Sequence, residues 1–289
     1  MKDKGIIDKI KKSYEVEAPE ILSRLSFSQN ETVSQFPQKK YVPLKRIIAC
    51  CASLALAIGI GVVSVMHFNI DYERIENYPT PSANAKIIDA PYIYQNFDYP
   101  NGCESVSTVM ALQKAGINIS VDSFIENYLD KGATPIVGGT GPDPDLVYCG
   151  NPRLKSGWGC YSPVIVNALN KFVNKNTHTV SQFYGKSLDE LCHTYIDNNI
   201  PVIMWATVGM IDSSASSYYA HWTSPAGKAI SYNTKLHCVL LVGYDENNYY
   251  FNDPMHMNAD GVKYTGYSKA SVEKAYSILK KQSIVVAPK

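Results

Sequence analysis

The stretch YQNFDYPNGCESVSTVMALQKAGI, residues 94–117, decides how the rest of the chain is interpreted. Its Pro-Asn-Gly segment at 100–102 consists of turn formers, and helix-compatible residues follow it directly. The side chains after the turn recur three or four residues apart, as on one face of a helix: Val106, Val109, Met110 and Gln113. Gly116 marks a stop, so the spacing predicts a helix over residues 103–115 with Cys103 at its N-terminus.

Cys103 is a candidate nucleophile because of this position. At a helix N-terminus, the unpaired backbone N–H groups and the helix dipole favour a thiolate over a thiol. Nucleophilic catalysis by cysteine needs that environment. The alternative is a small buried cysteine that opens a core helix, and this stretch does not separate the two.

Composition places the chain among globular proteins and gives no sign of nucleic-acid binding. The 289 residues are enough for one large domain or two small ones, and 45% of them are hydrophobic. The net charge is only +1, without a long basic block. Residues 1–46 nevertheless carry ten Lys and Arg against six Asp and Glu, a net charge of +4.

Residues 47–66, IIACCASLALAIGIGVVSVM, are predicted to form a single transmembrane helix. Twenty uncharged residues, each rising about 1.5 Å, span a hydrocarbon core of roughly 30 Å. A buried globular helix is the alternative, and a cleaved signal peptide is disfavoured because the apolar run starts late and is long. Lys and Arg precede the run while Asp and Glu follow it, so the positive-inside rule places the N-terminus in the cytoplasm.

The predicted span divides the chain into four parts. Residues 1–46 form a cytoplasmic tail whose partner is unknown, and residues 47–66 hold the chain in the cell membrane. Residues 67–84 are polar, contain Pro79 and Pro81, and are interpreted as a stalk. Residues 85–289 are the folded domain, which we expect outside the cytoplasm at the bacterial cell surface.

Hydrophobic periodicity gives this domain an α+β order, with helices mostly first and strands mostly last. The predicted helices are 103–115, 120–128, 162–174, 187–198 and 268–279, and the predicted strands are 87–94, 201–208, 237–244, 248–252 and 283–286. Between them, residues 131–159 are rich in Gly, Pro and Asp. This segment is long enough to be a functional surface loop.

Five cysteines lie outside the predicted span: Cys103, Cys149, Cys160, Cys192 and Cys238. An odd number leaves at least one free thiol, which suits a catalytic Cys103. Cys149 and Cys160 flank a loop, and an oxidising exterior permits a disulfide between them. The sequence alone does not decide whether this disulfide forms.

His237 and Asp253 are a candidate pair on the late strands. If strands 237–244 and 248–252 form a hairpin with its turn near Glu246, the two residues come close to opposite each other. Asp253 then accepts a hydrogen bond from the imidazole and fixes its tautomer. Gln95, eight residues before Cys103, has an amide that is able to donate to a developing oxyanion.

The order Gln, Cys at a helix start, His on a strand and Asp after the next strand matches a papain-like plan. The chain resembles the C39-like branch of the papain-like cysteine peptidases from about residue 87 to 286. Four segments carry the resemblance: 94–117, DPDLVYCGNPRLKSGWGCYSP (143–163), IPVIMWATV (200–208) and HCVLLVGYDENNYYFNDP (237–254).

This resemblance implies a papain-like α+β fold, with the nucleophile helix in an N-terminal helical part followed by an antiparallel sheet. It implies Cys103 as nucleophile, His237 as general base and acid, Asp253 as its orienter, and Gln95 in the oxyanion hole. Three cysteines depart from the family's usual small or apolar residues: Cys149, Cys160 and Cys238. That departure strengthens the case for a Cys149–Cys160 bridge.

Other groups of residues give weaker evidence for a functional site, and we expect neither a bound metal nor a cofactor. The spacing of Cys and His lacks the CxxC or HxxxH pattern of a zinc site. His178 and His256 have no evident partner. Four aromatic residues are candidates for a substrate cleft or for the core: Trp158, Tyr161, Trp205 and Trp222.

We therefore expect a membrane-anchored, outward-facing cysteine peptidase or amidohydrolase with a peptide or amide substrate. The best-known C39 relatives cut double-glycine leader peptides while fused to export transporters. Here there is no ATP-binding cassette and the domain faces outward, so an envelope or extracellular bond, including peptidoglycan stem peptides, fits better. Two alternatives remain: a papain-like peptide-binding module with little turnover, and an acyltransferase that uses the same residues.

Overall fold

A computed structural model describes residues 78–95, 98–256 and 264–289. The predicted tail, the predicted transmembrane helix at 47–66 and most of the predicted stalk lie outside the described residues. Within the described ranges, no helix is long and apolar enough to cross a membrane.

An antiparallel sheet of seven strands organises the described part of the chain. Its strands are β1 (Lys86–Ile87), β4 (His178–Tyr184), β5 (Val202–Thr207), β8 (Leu236–Tyr244), β9 (Asn248–Asn252), β10 (Thr265–Ser268) and β11 (Gln282–Pro288). The order across the sheet is β10-β9-β8-β5-β11-β4, with β1 paired to the end of β8. Two smaller pairs lie outside it: parallel β2 (Lys131–Gly132) with β3 (Tyr148–Cys149), and antiparallel β6 (Tyr219–Thr223) with β7 (Ala229–Asn233).

Five α-helices accompany the sheet in the described residues: α1 (Cys103–Lys114), α2 (Val121–Asn127), α3 (Ser162–Asn170), α4 (Leu188–Thr194) and α5 (Lys269–Ile278). Three of these helices have an N-cap serine: Ser120, Ser187 and Ser268. The hydroxyl of each serine accepts a hydrogen bond from the backbone N–H of the residue three positions later in the chain. Pro163 stands in the first turn of α3, where its missing N–H costs no helical hydrogen bond. The mixture of helices with an antiparallel sheet confirms the α+β prediction.

The core lies on both faces of the central strand. Every residue of β5 is buried, as is expected of a strand covered on both sides. Helix α1 packs against β8 and helix α5 against β5. Ser107 on α1 donates from its hydroxyl to the carbonyl of Cys238 on β8 at 3.0 Å. This contact holds α1, which begins at Cys103, against the strand that carries His237.

The predicted element bounds are wrong in several places, for local reasons. The predicted strand 87–94 shortens to β1, and Pro91, which has no N–H to donate to a ladder, follows soon after. The predicted helix 187–198 is α4 followed by a 3₁₀ turn, Ile196–Asn198, where Asn199 takes a left-handed φ of 62°. Six short strands were not predicted from the sequence: β2, β3, β4, β6, β7 and β10. In these strands, polar residues interrupt the regular alternation of apolar and polar side chains, as in HTVSQFY of β4.

Candidate active site

Cys103 is the first residue of α1, as the turn signal predicts. The turn is tight, because a Cβ on Gly102 would lie 2.6 Å from the Cβ of Tyr99. The amide of Gly102 donates to the carbonyl of Tyr99 at 2.8 Å, which closes the turn directly before the helix. Cys103 is buried, with 7% of its surface exposed.

His237 and Asp253 form a buried hydrogen-bonded pair. His237 is the second residue of β8, Asp253 follows the last residue of β9, and His237 Nε2 lies 2.7 Å from Asp253 Oδ1. The predicted hairpin forms and brings the two residues together, although they do not lie directly opposite each other. The register pairs Leu240 with Asn252 and shifts at a bulge between Leu241 and Gly243, so the two side chains meet diagonally.

The carboxylate of Asp253 is held from several sides. Oδ1 also accepts the amide of Met255 at 3.0 Å, while Oδ2 lies 3.0 Å from His256 Nδ1 and 3.2 Å from the Tyr267 hydroxyl. Burial acts to raise the pKa of Asp253, but the charges and hydrogen bonds of His237 and His256 outweigh it and hold the pKa below its usual range. Asp253 is therefore ionised and accepts from Nε2–H of His237, which leaves Nδ1 for another partner.

His256 is a member of this cluster that sequence reasoning missed. The sequence analysis gives it no partner, whereas the structure places it against Asp253, with the Tyr78 hydroxyl 2.7 Å from its Nε2. The signal in the sequence is weak, because a histidine three residues after an aspartate is common in loops. The contact depends on the chain bending back after β9, and no periodic pattern indicates that bend.

The thiol of Cys103 points to a neighbour that the sequence analysis did not single out. Cys103 Sγ donates to Glu104 Oε2 at 3.3 Å, and within the described residues no hydrogen bond joins Cys103 to His237. Burial raises the pKa of the Cys103 thiol well above its ordinary value, and the charge of Glu104 adds to the effect. Both effects favour the neutral thiol in this arrangement and act against the influence expected of the helix N-terminus.

Glu104 is a fully buried carboxyl in the first turn of α1. Its Oε1 accepts the backbone N–H of Cys160 at 2.7 Å. Burial raises the pKa of Glu104 to about 7, although the hydrogen bonds from Cys160 and Cys103 act to lower it. Glu104 therefore connects α1 to the Gly/Pro-rich segment before α3.

Gln95 lies beside the turn that leads into Cys103. Its side chain is buried, its backbone N–H donates to the carbonyl of Pro254 at 2.9 Å, and its Nε2 donates to the carbonyl of Pro100 at 3.3 Å. Oε1 has no hydrogen-bond partner among the described atoms. Nε2 carries a second hydrogen, so the amide retains donor capacity for an oxyanion.

The aromatic residues proposed for a cleft divide between core and surface. Trp205 is fully buried and its Nε1 donates to the carbonyl of Cys160 at 2.8 Å, so it is a core residue. Trp222 is also buried, and it packs edge to face with Trp158 at 5.5 Å between ring centroids. Trp158 is only partly buried, whereas Tyr161 is buried but still lines a cavity.

The thiols of Cys149 and Cys160 are free in the structure, so the disulfide that the sequence left undecided is not formed there. The backbone explains why. Cys149 pairs with Gly159, whose carbonyl accepts the N–H of Cys149 at 2.9 Å, and Cys160 is one residue beyond that pair. Successive side chains along an extended segment alternate between faces, so this pairing does not place the two thiols on one side.

Comparison with known proteins gives consistent results. The profile of the Peptidase_C39 like family matches residues 87–284. “Uncharacterized protein YvpB” of Bacillus subtilis (strain 168) is 27% identical over 200 residues, covering 69% of this chain and 72% of that protein. The crystal structure of a “putative C39-like peptidase” from Bacillus anthracis superposes with a TM-score of 0.62 at 24% identity, covering 71% of this chain and 98% of that chain. That structural likeness supports the same fold.

Proposed function

Because the chain belongs to the Peptidase_C39 like family, we propose that it is a cysteine peptidase or amidohydrolase that cleaves a peptide or amide bond with Cys103 as nucleophile. The observation that carries the proposal is the buried pair of His237 and Asp253, joined at 2.7 Å, on a strand packed against the helix that begins at Cys103. A buried histidine oriented by an ionised carboxylate is the partner that a cysteine nucleophile requires.

In the proposed reaction, the thiol proton of Cys103 passes to Nδ1 of His237, and the thiolate attacks the substrate carbonyl carbon. The oxyanion receives hydrogen bonds from the backbone N–H of Cys103 and the amide of Gln95. His237 then gives its proton to the leaving amine, which departs as the C–N bond breaks and a thioester remains. His237 next takes a proton from water, which hydrolyses the thioester and restores the Cys103 thiol.

Asp253 has a supporting role in this scheme. As an ionised carboxylate it accepts from Nε2–H of His237, fixes the tautomer and stabilises the imidazolium that forms after proton transfer. The carboxylate does not need to take up a proton, which is consistent with its lowered pKa.

We also propose that the enzyme is anchored in the cell membrane by residues 47–66 and acts outside the cytoplasm. The twenty uncharged residues and the Lys and Arg before them support this orientation. A peptide of the cell envelope, including peptidoglycan stem peptides, is then the substrate class within reach.

A peptide-binding module with little turnover is the second candidate. The observation in its favour is the resting thiol of Cys103, which donates to Glu104 instead of pairing with His237. Such a module would bind the same peptides and release them uncut.

Turnover separates the two candidates. The full chain, purified in detergent, is incubated with a peptide library and with peptidoglycan stem peptides, and mass spectrometry detects new amine termini. Cys103→Ala is the matched control, because it removes only the sulfur. We expect products from the wild-type chain and none from Cys103→Ala. Peptide binding without products, equal in both chains, would support the binding module instead.

A further inference from the structure

The contact between Cys103 and Glu104 has a direct chemical meaning. Sγ of Cys103 lies 3.3 Å from Oε2 of Glu104. Above about pH 7, where Glu104 is mostly ionised, its carboxylate can only accept at this contact, so the sulfur carries the proton. A thiolate in the same position would face a like charge in a buried site, which is costly. The arrangement therefore holds the sulfur of Cys103 as a neutral donor.

The carboxyl of Glu104 is fixed in place by the surrounding backbone. Oε1 accepts the N–H of Cys160 at 2.7 Å, and none of the residue is exposed. Gly159 leaves the space for it, because a Cβ there would lie 2.5 Å from Oε1 and 2.7 Å from the Tyr232 hydroxyl. Since Glu104 is confined, the Cys103 side chain, which turns about a single bond, is the group able to move.

Among the described residues, Glu104 has no basic side chain as an ion-pair partner. Within the described residues, no Lys, Arg or His nitrogen lies at ion-pair distance from it, and His237 acts on it only as a more distant charge. The titratable groups that face Glu104 come from α1, β3, β7, β8 and the segment before α3: Cys103, Tyr148, Cys149, Cys160, Tyr232, His237 and Cys238. Of these groups, only His237 has a basic side chain.

We infer that Glu104 is a positioning residue that holds the Cys103 thiol protonated in a resting orientation, and that the nucleophile becomes reactive when this thiol leaves Glu104 for Nδ1 of His237. The step moves one proton from sulfur to nitrogen and breaks no other bond, and Glu104 remains a carboxylate. The inference rests on the proposed function, since it concerns the same nucleophile. It makes the site latent until a bound substrate or a change of orientation separates the thiol from Glu104.

The pH dependence of Cys103 alkylation tests this inference. The native full chain is treated with iodoacetamide from pH 6 to pH 9, and mass spectrometry gives the rate at Cys103. The same rate is measured for the chain unfolded in urea. We expect native Cys103 to react more slowly at pH 8 than unfolded Cys103, and this comparison needs no variant. Faster reaction of native Cys103 would indicate a resting thiolate and would overturn the inference.

Glu104→Gln isolates the charge. The amide oxygen still accepts the N–H of Cys160, while the negative charge beside the sulfur is gone. At pH 8 we expect Cys103 of this variant to react at least about tenfold faster than in the wild-type chain, from one lost like-charge contact. Glu104→Asp keeps the charge, and we expect it to keep the wild-type pH profile. A merely structural role for Glu104 would leave the pH profile of Cys103 unchanged in Glu104→Gln.

The outcomes distinguish this inference from the proposed function. An unchanged profile in Glu104→Gln, with peptide cleavage that still depends on Cys103 and His237, refutes latency and leaves the peptidase standing. A shifted profile without any cleavage supports the contact and refutes the enzyme. If Glu104→Gln does not fold, as judged by circular dichroism, the wild-type comparison still tests the inference, because a native Cys103 that reacts faster than unfolded Cys103 overturns it.

Discussion

Replacement of Asp253 by Asn is the sharpest test of the buried pair. The substitution keeps the shape of a fully buried side chain and removes its charge. One amide oxygen accepts in place of two carboxylate oxygens, so the contacts from His237 at 2.7 Å and from His256 at 3.0 Å are not both retained. Breaking a buried ionic contact from one side costs about 3–5 kcal/mol. We expect a loss of that size in the free energy of unfolding at pH 7.

The loss in the free energy of unfolding caused by Asp253→Asn should become smaller as the pH falls. The pKa of Asp253 lies below its usual range, so its ionised form stabilises the fold above the unfolded pKa of about 4, and this stabilisation is lost as the pH falls through the folded value. The difference between the wild-type chain and Asp253→Asn should therefore be largest near pH 7 and shrink below about pH 4. Urea unfolding followed by tryptophan fluorescence measures it, because all three tryptophans lie in the described domain.

Activity and a control complete this experiment. The amide NH₂ of Asn favours the wrong imidazole tautomer of His237, so we expect peptide cleavage to fall by about 10²-fold or more. Tyr267→Phe removes a 3.2 Å hydrogen bond to the same carboxylate without removing charge, and should cost only about 1 kcal/mol. A stability difference for Asp253→Asn that is equal at pH 3 and pH 7 would refute the ionic account. Undiminished cleavage would remove Asp253 from the catalytic scheme.

Three further predictions follow from other contacts. The raised pKa of Glu104, about 7, means that the folded chain holds a proton that the unfolded chain releases, so wild-type stability should fall by up to about 3 kcal/mol as the pH rises from about 4.5 to 7. Urea titrations should show a flatter profile for Glu104→Gln, and parallel profiles would contradict this account. Gly159→Ala would place a Cβ 2.5 Å from Glu104 Oε1 at a φ of +136°, and should lower the free energy of unfolding by about 2–4 kcal/mol in the same assay. Gly227→Ala, with open space at a φ of +82°, is its control. Cys149 and Cys160 should both be alkylated after unfolding without reductant, whereas a peptide pair joined by a disulfide in the mass spectrum would contradict the free thiols.

Elements with strong local signals were predictable from the sequence. The turn before Cys103 and the apolar spacing after it define α1 to within one residue of the predicted 103–115. Strand β9 has the predicted bounds, and β8 begins one residue earlier than predicted. Strand β4 was not predicted because its residues alternate only weakly in burial. Strands β6 and β7 alternate in burial, but their sequences, YAHWT and AISYN, mix small and polar residues with large apolar ones and give a weak strand signal.

The candidate site was only partly accessible to sequence reasoning. Order and spacing brought His237 and Asp253 together correctly, although the bulge changed how they meet. Glu104 was missed because an acidic residue in a first helical turn is normally solvated, and its burial depends on the segment around Cys160. The direction of the Cys103 thiol is a choice between rotamers, which no spacing rule specifies.

The place of β11 in the sheet has a consequence for biosynthesis. This strand, Gln282–Pro288, lies between β5 and β4 and supplies a neighbour to each. While a chain is being made, β4 lacks its partner, and β5 lacks one of its two, until residues 282–288 have left the ribosome. We therefore expect the domain to gain its final form only after nearly all of it has been translated. In a nascent chain, Cys103 would then be part of an incompletely folded domain. Any cleavage by the protein would begin only after its synthesis is nearly finished.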